Sequence, residues 1–182
     1  RHIKDIDVKK LTKTQIPINL EIAANNEMLK IALRYKPNFV CLVPENRKEI
    51  TTEGGINILK NYNIIKKIIT KLNDKKIRTS LFINPNYKDI KLSHGIGSKC
   101  IELHTGRISE LIKSKKKYLL ELQKIKKCAN YAKSLGLEVH AGHGMDYKTA
   151  SILSNIKHIE EFNVGHFIIG ESLINGIEKV IK

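Results

Sequence analysis

The stretch LEVHAGHGMDYKTASILSNIKHIEEFNVGHF, residues 137–167, contains the pattern that decides the fold. Its first part, 137–144, is a short apolar run that ends in glycine and histidine, and residues 147–155 have the apolar spacing of a helix. A second short apolar run follows at 159–167. Strands joined by a crossover helix are parallel, so the stretch predicts a strand–helix–strand unit of a parallel sheet.

The same alternation runs along all 182 residues, which we interpret as one α/β domain over 1–182. Short runs rich in β-branched residues predict six strands, at 16–24, 39–45, 77–85, 99–106, 137–144 and 159–167. Longer segments predict helices at 26–36, 56–74, 87–93, 108–135, 147–155 and 170–181, after a short amphipathic piece at 5–13. Within the basic run 112–127, a single helix is expected to carry its apolar side chains on or near one face: Ile112, Leu119, Leu120, Leu122 and Ile125.

Repeated strand–helix units fit two architectures. One is an open doubly wound sheet, and the other is a (β/α)₈ TIM barrel of which this chain would carry about six of the eight units. The sequence contains neither a GxGxxG after a strand nor a GxxxxGK[ST], the two best-known signatures of the open sheet. In both folds the groups that do chemistry gather at the carboxyl ends of the strands, so the functional residues are expected there.

Composition narrows the class of partner. The formal net charge is +15, but the lysines are spread along the chain, and no nucleic-acid motif accompanies them. We therefore expect a solvated basic surface that attracts small anions, with no nucleic acid as partner. No window approaches 18 apolar residues, so no membrane span is expected. Three widely spaced cysteines, Cys41, Cys100 and Cys128, favour a reduced, cytoplasmic compartment.

Carboxylates and histidines recur in or just after five of the six predicted strands. Glu21 lies between Leu20 and Ile22, and Glu102 lies in the same way between two apolar neighbours. Strand alternation turns each acid to the opposite face from those neighbours. A buried carboxylate costs free energy unless it is paired or used, so we expect both acids to line a pocket.

The glycines and histidines after the last two strands allow several interpretations. Gly142, Gly144 and Gly165 let the backbone approach a ligand such as phosphate, or they form tight turns without a ligand. His140 and His143 are three residues apart, so on a straight strand they face opposite sides. No HxH, HExxH or cysteine–histidine cluster accompanies them, and we expect no metal site.

Several long motifs, taken in order, resemble the pyridoxine 5′-phosphate synthase family: RHIKDIDV, INLEIA, CLVPENRKEITTEGG, SLFINP, IELHTGR, AGHG and NVGHFIIGESL. The resemblance implies a (β/α)₈ barrel that assembles as a homo-octamer and uses no metal or organic cofactor. It implies a transferase-type, ring-closing synthase of vitamin B6 biosynthesis. Its small phosphorylated substrates would be 1-deoxy-D-xylulose 5-phosphate and 3-amino-2-oxopropyl phosphate, joined to pyridoxine 5′-phosphate with release of phosphate and water.

The resemblance also implies roles for residues in the matching motifs. Glu21 corresponds to a general base, His143 to a general acid, and Glu102 to a carboxylate that stabilises transition states. Substrate-binding positions are the remaining matches: His2 and Thr51 for the deoxyxylulose phosphate, and Gly144, Gly165 and His166 for the aminooxopropyl phosphate. His140 stands where many relatives carry Asn and is interpreted as a supporting residue.

Relatives of this family carry about two further strands before the position of Arg1, with another catalytic histidine. We therefore expect the chain to be the C-terminal three quarters of a barrel, and to be inactive and poorly stable by itself. A lid is expected at 46–54, since the proton transfers need a closed site. Two other functions stay open: a different phosphate-binding barrel enzyme, and an inactive truncated barrel that serves as a binding module.

Overall fold

The computed structural model describes residues 3–44 and 54–181, and within them six strands form one parallel sheet. The strands are β1 (Asn19–Ala23), β2 (Phe39–Val43), β3 (Arg78–Ile83), β4 (Cys100–His104), β5 (Glu138–Gly142) and β6 (Glu161–Asn163). All six strands predicted from the sequence are confirmed, although each is shorter than predicted. The sheet therefore has the parallel character that the strand–helix–strand pattern indicated.

The order of the strands decides between the two architectures. Each strand pairs with the next one along the chain, in the order β1-β2-β3-β4-β5-β6. An open doubly wound sheet reverses its strand order at a switch point, and this sheet has no such reversal among the described residues. The sheet curls as part of a barrel, so the barrel interpretation is supported for the six units that the structure describes.

The helices that cover the sheet are α1 (Asp5–Leu11), α2 (Asn26–Tyr35), α3 (Tyr62–Asn73), α4 (Tyr87–Ile96), α5 (Gly106–Lys113), α6 (Leu119–Ser134), α7 (Tyr147–Leu153), α8 (His166–Asn175) and α9 (Ile177–Ile181). The helix predicted at 56–74 begins only at Tyr62. The helix predicted at 170–181 begins earlier and is divided at Gly176, whose φ is 78°. In the described part of the chain, none of the helices is both long enough and apolar enough to cross a bilayer.

The prediction of one helix at 108–135 is wrong, because the chain breaks between α5 and α6. Lys115 has a φ of 54°, in the left-handed region, and the Lys116 N–H donates to the Leu111 carbonyl at 2.8 Å. This turn redirects the chain, so the apolar positions before and after it do not continue one face. Leu119 and Leu120 are accordingly exposed, at 63% and 83%.

The hydrophobic core lies between the sheet and the helices. Helix α3 shows how it is built: Ile65, Ile68, Ile69 and Leu72 follow the i, i+3, i+4, i+7 spacing and are all buried. Burial of one such side chain contributes about 1.5–3 kcal/mol, so this face is enough to hold the helix on the sheet. The face of the sheet that packs against the helices contributes a row of buried apolar side chains: Leu20, Ile22, Val40, Leu42, Leu81, Ile83, Ile101, Leu103 and Val139.

The opposite face of the sheet is polar. Pairing aligns Glu21 with Cys41 and Cys41 with Ser80, and it aligns Phe82 with Glu102 and Glu102 with His140. Side chains at aligned positions of parallel strands point the same way, so these residues share the face that the helices do not cover. The fold thus gathers the polar strand residues on its concave side.

Candidate active site

Glu102 is the most buried carboxyl group on the concave face, at 4% exposure. The Asn163 side-chain N–H donates to Glu102 Oε2 at 2.8 Å, and the Cys41 thiol lies 3.8 Å from the same oxygen. The other oxygen, Oε1, occupies space next to Gly142 that a Cβ at this position would overlap. Strands β2, β4, β5 and β6 therefore all contribute to the position of this one carboxyl group.

Burial is the main cause that raises the pKa of Glu102, to about 8. The negative charge of Glu21 raises the pKa further, while the hydrogen bonds from Asn163 and Cys41 lower it. At neutral pH the carboxyl group is therefore largely protonated. A carboxyl group with a pKa near neutrality is suited to accepting and donating protons.

Glu21, from β1, faces the same side of the sheet as Glu102 and is exposed. Its apolar neighbours Leu20 and Ile22 are both buried, so the predicted alternation of this strand is confirmed. The Glu21 charge acts on Glu102, and both acids lie on the concave face; that they line one pocket stays a prediction. The two acids differ in environment, since one is open to solvent and the other is enclosed.

Two histidine rings stack near the carboxyl end of β4, where His104 lies two residues after Glu102 on the same face. The ring centroids of His104 and His143 are 4.8 Å apart, with the planes inclined by 29°. The Phe82 ring meets His104 edge-on, at 5.3 Å between centroids. Burial lowers the pKa of His104 to about 4, with a smaller contribution from His143. His104 is thus neutral at physiological pH and serves as an aromatic surface against His143.

The turn that carries His143 is held by Thr105. The Thr105 Oγ1 lies 2.7 Å from the carbonyl oxygens of both Gly142 and His143, and the Thr105 N–H donates to Gly142 O at 2.8 Å. His143 has a φ of 79°, a left-handed conformation that costs a non-glycine residue about 1–2 kcal/mol. Such strain persists only where the surroundings impose it. Thr105 supplies that constraint from the end of β4.

The predicted phosphate-binding positions lie in different settings. Gly144 is exposed with a φ of 74°, and Lys113 Nζ donates to its carbonyl at 2.8 Å. Gly165 and His166 are exposed at the start of α8, not at the end of a strand, because β6 stops at Asn163. A helix N-terminus favours anions. His2, Thr51 and all of the proposed lid except Gly54 lie outside the described residues.

Gly142 differs from the sequence interpretation. It is a buried residue of β5, and its missing side chain makes room for the Glu102 carboxyl group. The sequence predicted that the missing side chain of Gly142 leaves room for a ligand such as phosphate. The structure shows the Glu102 carboxyl group in that space instead. This glycine is required because an acid from the neighbouring strand fills the position of its side chain.

A second polar network lies nearer the amino ends of the strands. His140, 1% exposed, contacts Glu138 Oε1 through Nε2 at 2.8 Å and Glu161 Oε1 through Nδ1 at 3.2 Å. Arg78 pairs with the same Glu138 oxygen. Ligand atoms of Cys100, Glu138 and His140 lie within 4.8 Å of one another. The contacts of this network are the ion pair of Arg78 with Glu138 and the contacts of His140 with Glu138 and Glu161, so we describe it as a supporting polar network.

Some residues of the site carried no assigned role in the sequence interpretation. In the sequence, Cys41 enters only through the spacing of the cysteines, and Phe82 and Asn163 are residues of predicted strands without an assigned role. The available signal was alternation within a strand: Phe82 lies two positions from Ser80, and Asn163 lies two positions from Glu161, so each pair shares a face. Alternation does not show which strands touch, so the contacts themselves were not predictable.

Fold and site together define a barrel-type α/β protein with a carboxyl–histidine site on the concave face of its parallel sheet. The pyridoxal phosphate biosynthesis protein PdxJ family matches residues 1–182. The chain belongs to this family.

Curated relatives agree with this assignment. The chain is 60% identical over its whole length to a pyridoxine 5′-phosphate synthase of Pelagibacter ubique (strain HTCC1062), of which it covers 76%. It is 46% identical to the synthase of Prochlorococcus marinus (strain MIT 9515), again over the whole chain and 76% of the relative. The synthase of Blochmanniella floridana is 43% identical, with 74% of its length covered. The family resemblance seen in the sequence is therefore confirmed.

Two solved structures share the fold at low identity. The EAL domain of Xanthomonas citri FimX matches 84% of this chain and 62% of its own with a TM-score of 0.59 and 10% identity. A xylose isomerase domain protein from Planctomyces limnophilus matches 93% of this chain and 73% of its own with a TM-score of 0.53 and 13% identity. At these identities the likeness concerns the fold alone.

Proposed function

We propose that this chain carries the active site for the reaction of its curated relatives, the synthesis of pyridoxine 5′-phosphate. The amine of 3-amino-2-oxopropyl phosphate adds to the ketone of 1-deoxy-D-xylulose 5-phosphate, and dehydrations then close the ring with loss of phosphate. Identity of 60% over the whole chain to a pyridoxine 5′-phosphate synthase supports the reaction. The contact of Glu102 with Gly142 carries the site assignment, because it brings an acid next to the residue that precedes His143.

In this proposal Glu21 is the general base and His143 is the general acid. Glu21 is exposed on the concave face, where a substrate proton is accessible to it. His143 is held in a constrained turn against His104, which limits the directions in which it can donate a proton. A base and an acid in fixed positions are what a sequence of dehydrations requires.

Glu102 would stabilise the cationic intermediates of the reaction. An iminium-like cation next to Glu102 would favour ionisation of its carboxyl group, whose pKa is raised by burial. The ionised carboxylate would then balance the charge in an environment where electrostatic interactions are strong. Glu102 would thus be mainly neutral in the free enzyme and would ionise when the cationic intermediate forms next to it.

The two phosphates would bind at the edges of the site. Gly144, Gly165 and His166 are proposed for the aminooxopropyl phosphate, and the exposed start of α8 supports an anion there. His2 and Thr51 are proposed for the deoxyxylulose phosphate from the resemblance alone. The net charge of +15 would draw both substrates toward the protein. We also propose a cytoplasmic homo-octamer, which light scattering on the purified protein would test.

The proposal is tested by assaying pyridoxine 5′-phosphate formation from both substrates with the full-length protein. We expect Glu21→Gln and His143→Asn each to lower kcat at least about 100-fold, as expected for loss of a general base or acid. The exposed residues Glu178 and His94 supply matched controls, Glu178→Gln and His94→Asn, which should keep wild-type turnover. Wild-type turnover in either site variant would remove that residue from the mechanism. Binding of both phosphates without turnover in the wild-type protein would favour a binding module.

A further inference from the structure

Asn163 makes the shortest side-chain hydrogen bond described for Glu102, between Nδ2 and Oε2 at 2.8 Å. The two residues are 61 positions apart in the chain and come from β4 and β6, which are separated in the sheet by β5. The bond can cross β5 because the intervening position there is Gly142, which pairs in register with Asn163 and has no side chain. The contact therefore depends on three strands at once.

We propose that Asn163 is a positioning residue, whose side-chain amide fixes the orientation of the Glu102 carboxyl group against Gly142 and so aligns it for the reaction. The proposal rests on the role of Glu102 given above, and it adds a residue to which no role in the reaction has been assigned. Asn163 acts through Glu102 and not on the substrate. An amide N–H suits this function because it donates to a carboxyl oxygen in either charge state.

The surroundings of Glu102 explain why this donor matters. The two charges that raise the Glu102 pKa, Glu21 and Glu161, are both negative, so they oppose ionisation. The Cys41 thiol is a weak donor and lies farther away, at 3.8 Å. On the concave face, Glu102 has Phe82 and His140 beside it on the neighbouring strands β3 and β5. The groups on more distant strands that act on it are Glu21 from β1, Cys41 from β2, and Glu161 and Asn163 from β6.

The test compares Asn163→Leu, which keeps the number and branching of the side-chain heavy atoms but has no N–H, with Asn163→Ala. The Glu102 pKa is measured by following the ¹³C NMR signal of its carboxyl carbon against pH, and Glu102→Gln assigns that signal. This pKa reports the hydrogen bond from Asn163 in the absence of substrate. We expect the Glu102 pKa to rise by about one unit in both variants, because a hydrogen bond to a charged group is lost. Asn155→Leu, at an exposed position after α7, should leave the titration unchanged.

Kinetics supply the second measurement. We expect kcat to fall about tenfold or more in the Asn163 variants while KM changes little, because a residue that aligns a catalytic group affects the chemical step. An unchanged Glu102 titration in folded Asn163→Leu and Asn163→Ala would overturn the proposal. A different result is a shifted Glu102 pKa in the Asn163 variants together with full activity of Glu102→Gln. That result would disprove the catalytic role of Glu102 and would still show that Asn163 hydrogen-bonds to Glu102.

Discussion

The carboxyl group of Glu102 occupies the space that a side chain at Gly142 would need. The two residues lie on adjacent strands, β4 and β5, and the absence of a Cβ at Gly142 lets the acid turn toward Asn163. A buried acid with a raised pKa is thus accommodated by a glycine whose backbone has an ordinary strand conformation. Alanine at position 142 would be compatible with the backbone and incompatible with the acid.

Gly142→Ala tests this relationship directly. We expect a loss of about 1–3 kcal/mol of stability from overpacking, measured by urea unfolding, and a strong fall in activity because Glu102 is displaced. Gly170→Ala is the matched control, since no atom lies within 4 Å of a Cβ there. Residue 170 is within α8, so alanine should be neutral or stabilising. Equal stability and activity in the two variants would show that the space at Gly142 is not used by Glu102.

Glu102→Gln should change how stability depends on pH. Since the Glu102 pKa is about 8 in the folded protein against a usual value of 4.5, the folded state holds this proton more tightly than the unfolded state. Wild-type stability should therefore fall as pH rises through this window, and the glutamine variant should lack that loss.

Thermal unfolding at about pH 5 and about pH 9 measures the difference. We expect Glu102→Gln to raise Tm by several degrees relative to wild type at the higher pH only, because about 1 kcal/mol moves Tm by roughly 2–4 °C at this chain length. Glu178→Gln, at an exposed position, should follow the wild-type profile. A constant Tm difference at both pH values would mean that ionisation of Glu102 does not oppose folding.

His104→Phe should make the protein more tolerant of acid. The His104 pKa is about 4 in the folded state and 6.5 ordinarily, so the unfolded state takes up this proton first. Stability is then lost as pH falls between these values, and phenylalanine removes that loss while it keeps a ring against His143. The check is the fall in Tm from about pH 7 to about pH 5, compared with His94→Phe at an exposed position. If the Tm of His104→Phe falls between these pH values as much as the wild-type Tm does, protonation of His104 does not limit stability in acid.

Thr105→Val should loosen the turn that carries His143. The variant keeps the shape of the side chain but loses a hydroxyl that lies 2.7 Å from two carbonyl oxygens. We expect a loss of about 1–2 kcal/mol in stability and a fall in kcat of about tenfold, because His143 would relax from its left-handed conformation. Thr79→Val removes a single, longer bond to Asn73 at 3.3 Å and serves as the control. If both variants keep full activity, Thr105 does not control the position of His143.

Local pattern was sufficient for much of the fold. Periodicity located all six strands, and alternation correctly turned Glu21 away from Leu20 and Ile22. Both signals are local, since they depend on residues two to four positions apart. Where a boundary depended on a single backbone conformation, as at Lys115, the pattern predicted a continuous helix and was wrong.

The amino-acid sequence by itself determined the strand–helix repeat, the face on which each acid lies and the family of the protein. Only the tertiary structure decided that Glu102 meets Asn163 across Gly142, that His104 stacks on His143, and that Thr105 holds the His143 turn. The physical reason is that these contacts join strands or loops that are tens of residues apart. They depend on the register and the curl of the whole sheet, which arise only when the helices pack on its other face.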